Sequence, residues 1–424
     1  MCYNKKISSF KDAIRYLESL ALLGVKFDLQ RIGKVLAVFN YPQGRIPVIH
    51  VAGTNGKGSV CAFLSSILQA GGYRVGLYTS PHLAEVTERL QINRQDIDRT
   101  VFAGLICTVK AVCDSLRLKL TYFEMLTAVA YIYFAREKVD LAVIETGMGG
   151  RLDATNVVEN PLVAVITNVD YDHTEYLGNT LRKIAREKAA IIKKNSFVVT
   201  AATQPEVLAV FREQCRKKHA RLVRADKIIK IPAGWSISLK GSHQKINAAC
   251  AVGAIKQLQR QGFKISEKAV KQGLAKAFWP GRLELFKVFT TNHEPRTVLL
   301  DGAHNPAGMN SLVRELENRK SSGHKLILVF GVLKDKDYRR MVKIIAPLVD
   351  QAILVRPGSD RALDPQKIRK LWPDNAQVLV ANSIPQAIRQ ALKLAGRKDL
   401  VTVTGSLYTV GEVRKILLLD HSKE

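Results

Sequence analysis

Short apolar runs and amphipathic stretches alternate along most of the chain. The N-terminal segment MCYNKKISSFKDAIRYLESL interleaves charged and apolar residues at helical spacing, which predicts an amphipathic helix and not a secretory signal. Residues 46–51 predict a strand, and 59–70 a helix that stops at the Gly71-Gly72 signal. Residues 75–78 predict a strand leading into the loop Thr79-Ser80-Pro81-His82. A long helix over 122–137 precedes a strand over 140–145. Further strands are predicted at 161–167 and 197–200, with an Ala- and Lys-rich helix over 180–193 between them. Such alternation predicts βαβ units and a parallel sheet covered on both faces.

The stretch 226–243 departs from this rhythm. Pro232, Gly234 and the alternation Trp235-Ser-Ile-Ser-Leu239 predict a short β-hairpin or an edge excursion. Helices are predicted over 244–261 and 266–277, and Trp279-Pro280-Gly281-Arg282 then breaks the pattern. Beyond it α/β alternation restarts, with strands at 297–301, 325–331, 351–355, 377–380 and 400–404. The expected organisation is therefore a domain over 1–282 and a smaller one over 283–424 with five parallel strands, Rossmann-like in its layering. The second domain has no GxGxxG turn, so no dinucleotide site is expected there.

Composition adds one constraint and one question. A chain of 424 residues, 47% hydrophobic and 24% charged, is neither disordered nor collagen-like. Its longest apolar stretch, 125–135, contains a Thr and two Tyr and falls short of the roughly 18 residues of a membrane span. Six Cys (2, 61, 107, 113, 215 and 250) form no CxxC pair, which predicts free, mostly buried thiols in a reducing cytoplasm. The question is charge: 65 Lys and Arg against 37 Asp and Glu leave a net +28. An excess of this size suits nucleic acid, an anionic membrane surface or small anionic substrates. The cations are dispersed, with no Lys/Arg block of five or more, as on an ordinary solvated surface.

The strongest chemical signal is Val51-Ala-Gly-Thr-Asn-Gly-Lys-Gly-Ser59, between the first strand and its helix. Glycines there let backbone amides approach phosphate oxygens, and a helix N-terminus adds partial positive charge. Lys57 can reach terminal phosphates, and the Ser59 hydroxyl can bind a divalent metal. The spacing differs from the usual Walker form, because Gly58 separates Lys57 from Ser59 and position 51 is not Gly. A second signal is the apolar strand ending in Glu145, followed by Thr-Gly-Met-Gly-Gly-Arg-Leu-Asp-Ala-Thr-Asn156. Open α/β sheets bind ligands at carboxyl strand ends, so Glu145 is a candidate partner for the metal that Ser59 touches. Thr167-Asn-Val-Asp-Tyr-Asp-His173 ends the next strand and adds His173 as a candidate ligand. Mg²⁺ prefers oxygen, so a His ligand leaves Mn²⁺ acceptable as well. In the second domain Asp301-Gly-Ala-His-Asn-Pro306 and Gly331-Val-Leu-Lys-Asp-Lys-Asp337 put Asp301, His304, Lys334 and Lys336 on the corresponding rim.

These runs, taken in order, resemble folylpolyglutamate synthase/dihydrofolate synthase of the Mur-ligase superfamily. The resemblance is carried by AGTNGKGS (52–59), TSPHL (79–83), YFE (122–124), ETGMGGRLDATN (145–156), DHTEYLG (172–178) and REKAAIIK (186–193). It continues through PGRLE (280–284), LDGAHNP (300–306), GVLKDKD (331–337) and TGSLYTVGEVR (404–414), nearly the whole chain. It implies an N-terminal P-loop domain like the Mur-ligase central domain, a Rossmann-like C-terminal domain, and ATP held between them. The implied reaction is ATP-dependent ligation of L-glutamate to dihydropteroate or to folate tails through an acyl phosphate. Readings set against it are a Mur-type ligase acting on a peptidoglycan precursor, which TSPHL and YFEMLTA disfavour, and a basic nucleic-acid-binding P-loop ATPase, which lacks the usual basic/aromatic motifs.

By this resemblance Asn55, Gly56, Lys57, Gly58 and Ser59 hold the phosphates, and Asn247, Arg282 and Asp301 also contact ATP. Ser59, Glu145 and His173 become metal ligands for Mg²⁺ or Mn²⁺, and a monovalent cation such as K⁺ is allowed. Lys188 corresponds to a carbamylated lysine whose carboxylate binds a second metal. Lys57, Lys188, His173, Asp301 and His304 are the catalytic candidates. Asp28, Leu29, Ser80, Tyr122, Phe123, Leu152, Asp153 and Ala154 fall at the pterin-substrate positions, where an aromatic ring can stack and a carboxylate can accept ring N–H groups. Asn40-Tyr-Pro-Gln stands in place of the more usual Gly-Asn-Pro-Gln turn. The expected partners are small molecules, with no nucleic acid or membrane, and the expected state is a monomer.

Overall fold

Val48–Ala52 is buried along its whole length, as a strand between two parallel neighbours is, and only His50 interrupts its apolar run. It is β1 of a computed structural model that describes residues 7–24, 28–228, 230–289, 294–319, 323–373 and 377–421. The chain divides into two units: one comprises residues 1–81, 86–238 and 244–278, and the other 82–85, 239–243 and 279–424.

In the first unit the strands are β1, β2 (Val75–Tyr78), β3 (Leu90–Ile92), β4 (Gln95–Asp96), β5 (Leu141–Glu145), β6 (Val163–Ile166), β7 (Phe197–Thr200) and β8 (Arg221–Arg224). Their order across the sheet is β4-β3-β2-β5-β1-β6-β7-β8. From β2 to β8 the pairing is parallel, as the alternation predicts. The expectation of a wholly parallel sheet needs correcting at one edge, where β3 and β4 form an antiparallel meander on β2. Two or three residues per strand are too short for a sequence period to register.

Register decides where the chemistry goes. Val51 in β1 is level with Glu145 in β5 and Val165 in β6, and Tyr78 in β2 is level with Ile144. The segments that follow β1, β2, β5 and β6 therefore leave the sheet side by side at one edge. Helices Phe10–Ala21, Gln30–Val38, Arg99–Ser115 and Tyr122–Arg136 contribute to one apolar core, and Leu181–Ala189 and Pro205–Lys218 to another.

The second unit holds β9 (Glu284–Phe289), β10 (Pro295–Leu300), β11 (Leu326–Phe330), β12 (Gln351–Val355), β13 (Gln377–Ala381) and β14 (Leu400–Thr404), in the order β13-β12-β11-β14-β10-β9. Five strands are parallel, as expected, and β9 is an additional antiparallel edge strand on β10. Phe286 and Val288 of β9 are buried, while Leu285, Lys287 and Phe289 are exposed, the alternation of a strand covered on one face.

No hairpin forms at 230–241. Both the amide and the hydroxyl of Ser238 donate to Leu274 O at 3.0 Å, at the end of helix Glu267–Lys276. The extended run of alternating residues is thus tied to a helix terminus instead of a ladder. Cys61, Cys107, Cys113, Cys215 and Cys250 are free, as expected, and Cys2 lies outside the described residues. Among the described residues no helix is long and apolar enough to cross a membrane.

Candidate active site

The loop after β1 is held by the loop after β6. Thr54 N donates to Asn168 O at 3.0 Å, Asn55 N donates to Asn168 Oδ1 at 2.8 Å, and Thr167 Oγ1 donates to Asn55 O at 2.6 Å. The Thr54 hydroxyl donates to Asp170 O and accepts from Asp170 N. This packing leaves no room for a side chain at Gly53, where a Cβ would overlap Thr167 Oγ1. Gly56 takes φ +82° at the N-cap of helix Lys57–Ala70, and a Cβ there would overlap Asn247 Oδ1. Gly56 provides no side-chain cap, so the first-turn amides remain available to an anion. Lys57 Nζ folds back to donate to Gly53 O and Thr54 O, each at 3.1 Å.

Ser59 is almost fully buried, and its Oγ accepts from Gln244 Nε2 at 3.2 Å. Gln244 Oε1 in turn accepts from Asn247 Nδ2 at 2.9 Å. The expected nucleotide residues Asn55–Ser59 and Asn247 are thus brought together, with Gln244 as the link between them. Gln244 was missed from sequence, although its placement one helical turn before Asn247 was a usable signal.

Glu145 is buried at the carboxyl end of β5, where its Oε2 accepts from Ser80 N at 3.2 Å. The next hydroxyl, Thr146 Oγ1, is a buried oxygen without a hydrogen-bond partner among the described residues. His173 sits at φ 50° and caps the short helix Thr174–Leu177. Its Nε2 lies 4.0 Å from Asp172 Oδ2. Among the described residues, no three His, Cys, Asp or Glu side chains form a ready metal cluster. Hydroxyl and carboxylate donors at neighbouring strand ends nevertheless fit a hard divalent cation, which commonly takes one or two carboxylates and completes its shell with phosphate oxygens.

Lys188 lies in helix Leu181–Ala189 and is 3% exposed. Burial, reinforced by the like charge of Lys57, pushes its ammonium down to about 7, with Asp172 and Asp153 opposing. The close approach of this helix depends on the glycine loop. At Gly150 a Cβ would come within 2.6 Å of Glu187 O and 3.2 Å of Lys188 Cα, and at Gly149 (φ +68°) within 2.8 Å of Leu177 Cδ2.

A second group of side chains surrounds Asp153. Its Oδ2 accepts from Met148 N at 2.8 Å and its Oδ1 from Thr155 N at 3.0 Å, while burial raises its pKa. Leu152 is half-buried and Ala154 buried beside it. Phe123 packs on the same loop, with its Cζ 2.6 Å from where a Cβ on Gly147 would stand, and its ring 6.0 Å from that of Tyr78. The Tyr122 ring faces the Arg89 guanidinium at 5.3 Å. Asp28 is tied to this region by Arg31, which reaches Asp28 Oδ2 at 3.2 Å and Glu124 Oε1 at 2.8 Å. Leu29 caps the helix Gln30–Val38 that carries Arg31. Arg31 and the buried Glu124 went unmarked as linking residues. In the nearby turn Asn40 and Tyr41 both adopt positive φ, 56° and 52°, the region that a Gly-Asn pair favours.

In the second unit Asp301 directly follows β10, and its two oxygens accept from Leu283 N and Ala303 N, each at 3.0 Å. Burial raises its pKa, with Arg282 as the main opposing charge. His304 Nδ1 lies 2.8 Å from Gly302 O. Lys334 is exposed on the segment after β11.

Both units match known protein families. Residues 51–255 match the Mur ligase middle domain, and residues 281–407 match the Mur ligase glutamate ligase domain. The chain is 36% identical to dihydrofolate synthase/folylpolyglutamate synthase of Bacillus subtilis, over 97% of this chain and 99% of the relative. It is 33% identical to the dihydrofolate synthetase of Saccharomyces cerevisiae, over 93% of this chain and 98% of the relative. Among solved structures, E. coli FolC in complex with DHPP and ADP superimposes with a TM-score of 0.88 at 28% identity, covering 99% of this chain and 100% of that one. A bifunctional folylpolyglutamate synthase/dihydrofolate synthase with Mn, AMPPNP and L-glutamate bound gives a TM-score of 0.85 at 29% identity, covering 98% and 99%.

Proposed function

The chain belongs to the folylpolyglutamate synthase/dihydrofolate synthase family of Mur ligases, and on that premise we propose that it performs both ligations. It is an ATP-dependent ligase that joins L-glutamate to a pterin-linked carboxylate. The proposal extends this to both acceptors, dihydropteroate and the γ-glutamyl tail of folates. Its closest support is the arrangement at one sheet edge, where a helix-capped glycine loop, Glu145, Lys188 and Asp153 are carried on consecutive strand ends and on the helix packed against them.

The chemistry has two steps. A substrate carboxylate oxygen attacks the γ-phosphorus of ATP, the bond to the β-phosphate oxygen breaks, and ADP leaves. The glutamate amine then attacks the acyl carbon of the acyl phosphate, phosphate leaves, and the amine gives up a proton. The first step places negative charge on oxygens near the loop, where the amides of Lys57–Ser59 and the Lys57 ammonium offer donors. Lys57 exchanges its contacts with Gly53 O and Thr54 O for phosphate oxygens. Gln244 holds the Ser59 hydroxyl in place and ties it to Asn247. Asp153 and Phe123 offer a carboxylate acceptor and an aromatic face to the pterin, and Ser80, Tyr122, Asp28 and Leu29 complete that side. Arg282, Asp301 and His304 are the second unit's candidates for contact with ATP and glutamate.

Ser59, Glu145 and His173 would hold Mg²⁺ or Mn²⁺, which supplies charge neutralisation at the phosphates when bound. A partly neutral buried Lys188 can take up CO₂ on Nζ, and the resulting carbamate would offer oxygens to a second cation. K⁺ is a further candidate cation, the location is proposed as cytoplasmic, and the oligomeric state as monomeric. ADP release that requires dihydropteroate and L-glutamate together, and does not respond to nucleic acid, tests this reading. Turnover indifferent to either substrate refutes it.

A further inference from the structure

His50 places an imidazole in the middle of a buried parallel strand. It is 0% exposed, and its neighbours in β1, Ile49 and Val51, are equally buried. Its Nε2 lies 2.9 Å from Thr155 Oγ1. The Thr155 hydroxyl donates to Asp153 Oδ1, the same oxygen that accepts from the Thr155 amide. Thr155 is further anchored by Tyr131, whose buried phenol donates to Thr155 O at 2.9 Å.

A hydroxyl has a single hydrogen to give. That of Thr155 goes to the carboxylate, so its oxygen accepts from His50 and Nε2 carries the ring hydrogen. Nδ1 is then the unprotonated nitrogen, and among the described residues it is a buried atom with no hydrogen-bond partner. Burial pushes the ring down to about 3, with Lys193 acting in the same direction, so the ring stays neutral.

We propose that His50 is a positioning residue for the pterin-binding carboxylate Asp153, acting through Thr155 as an Nε2–H donor. The proposal rests on the reading that Asp153 accepts ring N–H groups of the substrate. The relay fixes the Thr155 hydroxyl against Oδ1 and so sets the plane in which Oδ2, already accepting from Met148 N, presents its remaining lone pair. A side chain on the central strand thereby serves substrate recognition without touching the substrate.

The test measures KM for dihydropteroate, KM for ATP and kcat in His50→Leu, His50→Gln, Thr155→Val and Asp153→Asn. His50→Leu and Thr155→Val should each raise KM for dihydropteroate about tenfold and change KM for ATP less than about twofold. The double variant should be no worse than the worse single one, since both cut the same relay. His50→Gln, whose amide can donate from a similar place, should restore most of the loss. A merely structural role would lower kcat through loss of folded protein and leave both KM values unchanged. An unchanged dihydropteroate KM in His50→Leu, with a raised one in Asp153→Asn, overturns the relay and leaves the Asp153 assignment standing. An unchanged KM in Asp153→Asn overturns that assignment and the relay with it. Should His50→Leu not fold, the imidazole ¹⁵N spectrum of the wild-type protein decides. Protonated Nε2 with unprotonated Nδ1 supports the relay, whereas the opposite tautomer or a doubly protonated ring overturns it.

Discussion

Lys57 Nζ donates to Gly53 O at 3.1 Å, so the ammonium is held over the loop by that loop's own carbonyl. Two neutral acceptors, Gly53 O and Thr54 O, hold the cation where a phosphate oxygen can displace them. Lys57→Ala should reduce ATP-dependent ligation by on the order of 10²–10³-fold or more, and should leave the thermal transition nearly unchanged. Retained turnover in a steady-state ADP assay would remove Lys57 from the phosphate role.

Gln244 is the one side chain that touches both the Ser59 hydroxyl and Asn247 among the hydrogen bonds described above. Gln244→Leu leaves Ser59 Oγ and Asn247 Nδ2 without these partners in a buried setting, a loss of about 1–3 kcal/mol. The expected outcome is a KM for ATP raised about tenfold, with KM for dihydropteroate unchanged. Equal effects on both would show that the link acts on the whole unit instead of the nucleotide side.

Legibility in the sequence followed interaction range. Strands such as 75–78, 197–200, 351–355 and 400–404 were legible to the residue, because a run buried on both faces is mostly apolar or β-branched. The glycine loop and Glu145 were legible because strand-end chemistry is local. β9 was not, since the exposed positions of this half-covered edge strand carry Leu285 and Phe289 as well as Lys287, which blurs the alternation. Trp235-Ser-Ile-Ser-Leu239 misled because strand-like alternation does not say what the segment bonds to. Lys188 was one cation among 65, and only the family resemblance singled it out. The backbone there approaches Gly150, almost forty residues earlier, more closely than a side chain would allow. His50 was invisible for the same reason, as its partner lies 105 residues away.

Lys188 has a pH signature. Its native value is pushed down to about 7, whereas a lysine in the unfolded chain titrates near ~10.4. Between those values the unfolded chain holds a proton that the native chain lacks, so native stability rises with pH across this window. Below pH ~7 both states hold the proton and the cost of burying the charge is at its full, constant value. The stability of wild type minus that of Lys188→Met, from urea denaturation, should therefore shift in favour of wild type as pH rises from ~7 to ~10. A flat difference would contradict the burial argument. Lys188→Ala should also cripple catalysis, with partial rescue by short carboxylic acids, and wild-type activity would refute the carbamate assignment.

Tyr41 is 58% exposed and sits at φ 52°, ψ 60°. An L-residue pays roughly 1–2 kcal/mol in that region, and Asn is one of the few that visit it routinely. Tyr41→Asn should stabilise the protein by about 1 kcal/mol, seen as a modest rise in Tm by calorimetry. An unchanged or lower Tm would mean that the ring contributes contacts worth as much as the strain.

Product mass is the most direct test of the central claim that this chain ligates glutamate to both acceptors. With ATP and L-glutamate present, dihydropteroate and tetrahydrofolate are supplied separately and the products weighed. The account predicts that each acceptor gains glutamyl residues, with one ADP and one phosphate released per bond formed. Glutamate added to folate but not to dihydropteroate would contradict the claim of two activities. No gain on either acceptor would contradict the ligase itself.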